Sequence, residues 1–358
     1  MLPDFNYFTT PLWLIEVLHI VTLTIHLIAM NFLFGGIMIL LFGQFDKKWQ
    51  NPFVQKYIKL LPNAMAMTVS FGVAPLLFVQ LVYPKQIYSA SIISGWYWLM
   101  IFAVVMTAYY FLYALSFKQA TESKQKIYLS IALICLLYVS YIYSSVFSMA
   151  EKPDLYKLLY AESQGGTIIN REIGTYLFRW LHMITGAVTV GGFFVALLGR
   201  KDEPAFNVGK NFYLWGMVAA MATGFAYMMG LGELMKPFMK SPAIWLVTVS
   251  FVLSLGSLHF LFKKRFVFAS AMLSVSFVAM VYTRHIVRKL ALVGYYDPSE
   301  IAVNVQWSPF IFFLIFFVLM VGTVWYMLRL FFGKQEFHLE LSVPVRGAVW
   351  CLNVNVGG

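Results

Sequence analysis

The chain has 358 residues, of which 61% are hydrophobic and 11% charged, against roughly 25% charged in a soluble domain, so no large water-soluble domain fits within it. Its net charge of +11 is not gathered on a soluble face, which argues against nucleic acid as a partner and assigns the positive charge to membrane topology. Cys135 in an apolar run, Cys351 near the end and the lack of a CxxCH site exclude a disulfide scaffold, a thiolate metal site and covalently attached haem.

A spanning helix needs roughly 20 apolar residues. Runs of that length, broken by Pro, Gly and Lys clusters, predict an all-α integral membrane protein with about nine transmembrane helices. They fall near residues 11–43, 57–83, 93–117, 127–150, 173–199, 209–232, 242–262, 266–291 and 308–332. The first is too long for a cleavable signal and is read as a retained span. Four loops are basic: Lys47, Lys48, Lys56 and Lys59; Lys118, Lys124 and Lys126; Arg200, Lys201 and Lys210; Lys263, Lys264 and Arg265. All lie on one side, which the positive-inside rule makes cytoplasmic, here of a bacterial inner membrane. The N-terminus and the loop from Glu151 to Glu172 then face outward, that loop being a solvated connector or a partner docking site. Residues 1–333 read as one polytopic domain without an internal repeat. Residues 334–358 read as a cytoplasmic tail, strand-like or disordered, without chemistry of its own.

Histidines interrupt this hydropathy, and an ionisable group inside a span is costly enough to mark a functional position. At 1.5 Å per residue His19, His182 and His285 reach a similar depth near the outer face, while His26, two turns beyond His19, lies near mid-membrane. His259 and His338 sit outside this layer. For one such histidine an interhelical hydrogen bond is the plain reading, but three at one depth on different helices fit axial ligation of haem iron. Arg179, one turn before His182, and Arg284 and Arg288, flanking His285, supply the guanidinium that haem propionates need, or else snorkel to the interface. Glu16, one turn before His19, is placed to orient an imidazole or to take a proton from a quinol. Gly35–Gly36, Gly186, Gly191 and Gly192 would allow close approach of a macrocycle or of another helix, and Met217, Met221, Met228 and Met229 are thioether candidates or gap fillers.

The run Arg179-Trp-Leu-His182-Met-Ile-Thr-Gly186-Ala-Val-Thr-Val-Gly191 resembles the haem-ligating helix of subunit I of cytochrome bd quinol oxidases. The first span, with His19 and His26 before Gly35–Gly36, is similar to that family's first helix, and Phe71-Gly-Val-Ala-Pro75 through Gln80 and Tyr83 to Trp98 is similar to its second helix and following loop. The resemblance covers roughly the first two hundred residues. It implies one or two b-type haems near the outer face and quinol or quinone as substrate. Three departures bear on activity: the third span carries no Asp or Glu, the family's long quinol loop is reduced to about Gly232–Pro242, and the seventh span offers no Met ligand. The expectation is an oxidoreductase component that passes electrons between quinol and a periplasmic or membrane-attached c-type cytochrome without reducing oxygen. A haem-free transporter, channel or membrane anchor is the alternative.

Overall fold

The computed structural model describes residues 7–117, 121–162, 164–170, 172 and 176–340. Its helices are α1 (Leu12–Phe42), α2 (Pro52–Val82), α3 (Pro84–Ile93), α4 (Gly95–Phe117), α5 (Glu122–Met149), α6 (Tyr156–Glu162), α7 (Phe178–Leu198), α8 (Glu203–Met229), α9 (Met235–Lys240), α10 (Ala243–Phe262), α11 (Phe266–Ala291) and α12 (Trp307–Glu340). Among the described residues nine of these, all but α3, α6 and α9, are long and apolar enough to cross a membrane. The chain is a multi-pass helical membrane protein, and the nine predicted spans correspond to these helices one for one.

Helices α2, α5 and α8 begin earlier than hydropathy implies, and α2 and α8 show why. Both first turns are polar yet helical because they are capped. Asn51 Oδ1 accepts from Phe53 N at 2.9 Å and from Val54 N, with Pro52 next in the chain; Asp202 Oδ1 accepts from Ala205 N at 3.3 Å, with Pro204 behind it. At the other end of the chain α12 runs to Glu340, past the expected domain limit at 333, and residues 341–358 of the tail lie outside the described residues, as do Lys118 and Arg171.

The chain forms two compact units. Among the described residues the smaller comprises Phe8–Thr10 and residues 303–340; in it the Phe8 and Thr9 carbonyls accept from the Asn304 and Gln306 amides, ahead of the apolar helix α12. The larger, Pro11–Ala302 with Tyr7, holds α1 to α11. There α1 is the hub, packing against α2, α5, α7 and α11, while α7 pairs with α8, α4 with α5 and α10 with α11. A core of Leu33, Ile37, Leu40, Tyr57, Leu61, Leu112 and Leu129 fills the space around α1, whereas Phe102, Met106, Trp245 and Val267 point outward and are over two-thirds exposed. Outward apolar side chains on long helices suit lipid contact rather than water.

Helices α1 and α7 cross backbone to backbone. A Cβ built on Gly35 would fall 2.1 Å from the Ala187 carbonyl oxygen, and one on Gly191 would fall 2.5 Å from Gly35 Cα. Gly36 lies under the Tyr57 ring and Gly192 against the α8 backbone at Tyr213. These glycines, expected as possible walls of a macrocycle, are occupied in helix packing. Gly186 is the exception, with nothing within 4 Å of its Cβ position.

Candidate functional site

Three intramembrane histidines are held in the same way. His19 Nδ1 lies 3.1 Å from the Pro75 carbonyl, His26 Nδ1 2.9 Å from that of Thr68, and His182 Nδ1 2.9 Å from that of Ala220. A backbone carbonyl can only accept, so Nδ1 carries the proton and Nε2 keeps its lone pair. This is the arrangement by which a ligating histidine is oriented, and it is equally a sound interhelical bond.

His26 and His182 match more closely still. His26, Gly35, Gly36, Gly43 and Asp46 recur at identical spacing as His182, Gly191, Gly192, Gly199 and Asp202. On the following helix, each histidine's carbonyl acceptor, Thr68 or Ala220, is followed four residues later by a glycine, Gly72 or Gly224. A Cβ on Gly72 would meet His26 Cε1 and Nδ1 at 2.9 Å; one on Gly224 would meet the same atoms of His182 at 2.9 and 3.0 Å. Each ring therefore lies in a glycine notch. The segment from α1 into α2 is repeated from α7 into α8, contrary to the expectation of no repeat.

The repeat also corrects the depth assignment. Spans one and five run the same way and cross at Gly35 and Gly191, and each histidine lies nine residues before its glycine. His182 is thus level with His26 rather than with His19. Nor do the four histidines surround one space between α1, α7 and α11. His26 and His182 face α2 and α8 separately, while His19 and His285 line a small cavity with Glu16, Phe78, Val79, Val82, Tyr83 and Arg288.

Glu16 meets the imidazole of His285 rather than that of His19 in a close contact. Its Oε1 lies 3.5 Å from His285 Nε2 and 2.6 Å from Lys289 Nζ. The His285 ring stacks on Tyr282, with centroids 6.0 Å apart.

The three arginines named from the sequence converge on a carboxylate that the sequence places in a connector. Glu151, just after α5, lies 2.5 Å from Arg284 Nη2, 3.4 Å from Arg179 Nη1 and 3.8 Å from Arg288 Nε. Ser148 accepts a further bond from Arg179 at 2.9 Å. The Arg288 guanidinium also lies 5.7 Å from the ring centroids of both Tyr83 and Phe147. Burial alone would raise the Glu151 carboxyl's pKa, but the arginines, Arg284 foremost, outweigh it and hold it below the ordinary carboxylate value. Three cations face one anion here, leaving a net charge of +2 in a buried cluster. Buried atoms without a hydrogen-bond partner gather at this end of the bundle: Arg284 Nη1, Arg288 Nη1, His285 Nδ1 and Tyr83 Oη. Such groups are costly unless a further ligand satisfies them.

Among the described residues no three His, Cys, Asp or Glu side chains converge as they do around a bare ion. The donor set fits haem better, since a macrocycle supplies four equatorial nitrogens and asks the protein only for axial ones. The observations behind that fit are the fixed imidazoles with free Nε2, the open space at Gly186 one turn after His182, and the unpartnered guanidinium N–H groups. Among the methionines, Met217 is buried in a core with Phe193 and Tyr213, Met221 and Met228 pack against such cores, and Met229 is exposed. These side chains fill gaps. His259 is exposed against Phe260 and joins none of this.

Glu151, Tyr83 and Lys289 carry the site beyond what sequence reading assigns. The available signal for Glu151 is a carboxylate directly at the end of a span on the side where the arginines emerge. No family model matches this chain, and no curated protein matches it.

Proposed function

We propose that the chain is a haem b-containing membrane subunit that passes electrons between a membrane quinol and a c-type cytochrome docked on the side where Glu151 lies. The observation that carries this reading is the repeated histidine site: His26 and His182 sit in equivalent glycine notches with Nδ1 fixed on a backbone carbonyl and Nε2 left as a ligand atom. His182 and His26 are the first choices as axial ligands, with His19 as the remaining candidate, since both ring nitrogens of His285 have other roles. One or two bound haems would supply the one-electron transfer.

The chain's own residues orient and neutralise. Arg284 and Arg288, and Arg179 beside them, offer guanidinium N–H groups to carboxylates within an apolar wall. Glu151 keeps the three cations together. The buried His285 imidazole and the half-buried Glu16 carboxylate form a pair able to hold a proton released by a quinol hydroxyl. The third span brings no carboxylate into the membrane, which supports electron transfer without oxygen reduction. In this reading the outward side is the periplasm, the membrane is a bacterial inner membrane, and the partner sits over the Glu151 ends of α1, α7 and α11.

The deciding experiment is the optical spectrum of purified protein. Reduced-minus-oxidised b-type bands are expected, and His182→Ala should lose part of the haem complement. A haem-free protein would favour the second reading, a transporter or channel, for which the parallel repeat is the one specific observation.

A further inference from the structure

The cavity lined by Glu16, His19, Tyr83, His285 and Arg288 has unmet chemistry of both signs. Glu16 Oε1, itself without a hydrogen-bond partner, lies 3.5 Å from His285 Nε2; with the ring proton on Nε2, toward that carboxylate, the unpartnered Nδ1 is a lone-pair acceptor. Arg288 Nη1 is an unpartnered donor, and the arginine is only 5% exposed. Tyr83 Oη, 2% exposed and also unpartnered, can do either. A group that satisfies these atoms together must both donate and accept. A carboxylate, a phosphodiester or a ring carbonyl only accepts, while a hydroxyl does both.

The room available agrees, for the space among these side chains holds one oxygen-sized group. The remaining walls, Phe78, Val79 and Val82, are apolar, and next to them along α1 and α2 the side chains of Val17, Leu77 and Leu81 are exposed on the apolar surface of the bundle. An occupant that comes from the membrane brings its hydroxyl on an apolar body, which suits these walls.

We infer that this cavity binds the ring hydroxyl of a membrane-dissolved quinol, with His285 Nδ1 accepting its proton in a hydrogen bond and Arg288 and Tyr83 completing its shell, and that it selects the hydroxyl-bearing form over the carbonyl-bearing quinone. The inference rests on the quinol-linked reading above and assigns its substrate site. A quinone offers no proton to His285, which leaves that buried acceptor unmet, and sites built around a hydroxyl reject analogues lacking one.

The test is anaerobic calorimetric titration of the detergent-solubilised full chain with a decyl-benzoquinol and with the matching decyl-benzoquinone. The quinol should bind at least about tenfold more tightly. His285→Phe, which removes the acceptor, should bring the two affinities together, while Tyr83→Phe, which keeps the ring edge-on to Tyr296 and removes a donor that either form can use, should weaken both; should His285→Phe fail to fold, the native preference and the Tyr83→Phe loss decide. Equal affinities in the native chain, no binding of either form (a site for ordered water only), a preference unchanged in His285→Phe, or affinities unchanged in Tyr83→Phe would overturn the inference. A haem spectrum on the same preparation separates the two claims. Absent b-type bands sink the haem reading and leave the binding result standing, whereas b-type bands without quinol preference sink the cavity assignment alone.

Discussion

Replacing Glu151 by Gln keeps the shape of the side chain and removes the charge that three arginines share. The change turns a buried cluster of net charge +2 into one of +3, with Arg284, formerly 2.5 Å from the carboxylate, the most affected. Removing one partner of a buried ion pair costs about 3–5 kcal/mol. The amide oxygen still accepts from one guanidinium, which places the expected loss at the lower end, about 3 kcal/mol. The Lys152–Glu172 pair is the control, because its side chains are 35% and 40% exposed and Glu172→Gln should cost no more than about 1 kcal/mol. Both variants are compared by denaturant unfolding in mixed micelles. Adding Arg284→Gln to Glu151→Gln removes a cation left unpaired, so the double variant should be about 1–3 kcal/mol more stable than the sum of the single losses. Acid should act in the same direction. Since the folded carboxyl titrates below its ordinary value, its contribution is complete above an unfolded-state pKa of about 4.3 and is lost as pH falls through the lower folded value, and Glu151→Gln should flatten stability across that window. If Glu151→Gln behaves like Glu172→Gln, or the double variant is strictly additive, the cluster is not the electrostatic unit described.

His182→Ala should lose a b-type haem, read as haem per protein by pyridine haemochrome; a full complement with an unchanged spectrum would remove His182 from the ligand set. Arg284→Gln should lower the haem midpoint potential in a redox titration, because losing a nearby cation favours the more positive oxidised iron; an unchanged or raised potential counts against a cofactor role for the arginines. Gly191→Leu should destabilise by about 3 kcal/mol or prevent folding, since even its Cβ would fall 2.5 Å from Gly35 Cα and backbone cannot give way; tolerance seen in thermal unfolding would refute the crossing. Asp202→Ala should cost about 1 kcal/mol by the same assay through loss of the α8 cap, while Asp202→Asn should be nearly neutral.

Hydropathy makes the nine spans legible because the length needed to cross a bilayer is a strong one-dimensional constraint, and it fails where capping rather than apolarity starts a helix, at Pro52 and Glu203. The short helices α3 and α9, with Pro84 beginning the one and Pro237 within the other, leave no hydropathy signal that separates them from connectors. Residue type and spacing also find the histidines and arginines. They do not reveal which partners those side chains meet, because that depends on helix neighbours. Glu151 reaches Arg284 across 133 positions of sequence, and Glu16 reaches His285 across the length of the bundle domain.

The repeat shows most clearly how such information is distributed. His26 to Asp46 and His182 to Asp202 keep one spacing because each interval lies within a single helix and its exit turn, where register is set by the crossing at Gly35 and Gly191 and by the glycines that end each helix. Beyond that turn the spacing shifts, since the loop into α2 carries the extra turn Lys48–Gln50 that the tighter loop into α8 lacks. The correspondence resumes at Thr68 with Gly72 and at Ala220 with Gly224, where geometry rather than composition requires a carbonyl and a missing side chain around an imidazole. A fixed period does not register across that shift, yet both halves preserve the elements that position a ring: a small residue for the helix crossing, an acceptor for Nδ1 and a notch for the ring face. Apolar packing alone would tolerate many side chains at Gly72 and Gly224. That both are glycine, each against a histidine ring at nearly the same distances, is better accounted for by a demand on the orientation of the two imidazoles than by a demand on the packing of the helices that carry them.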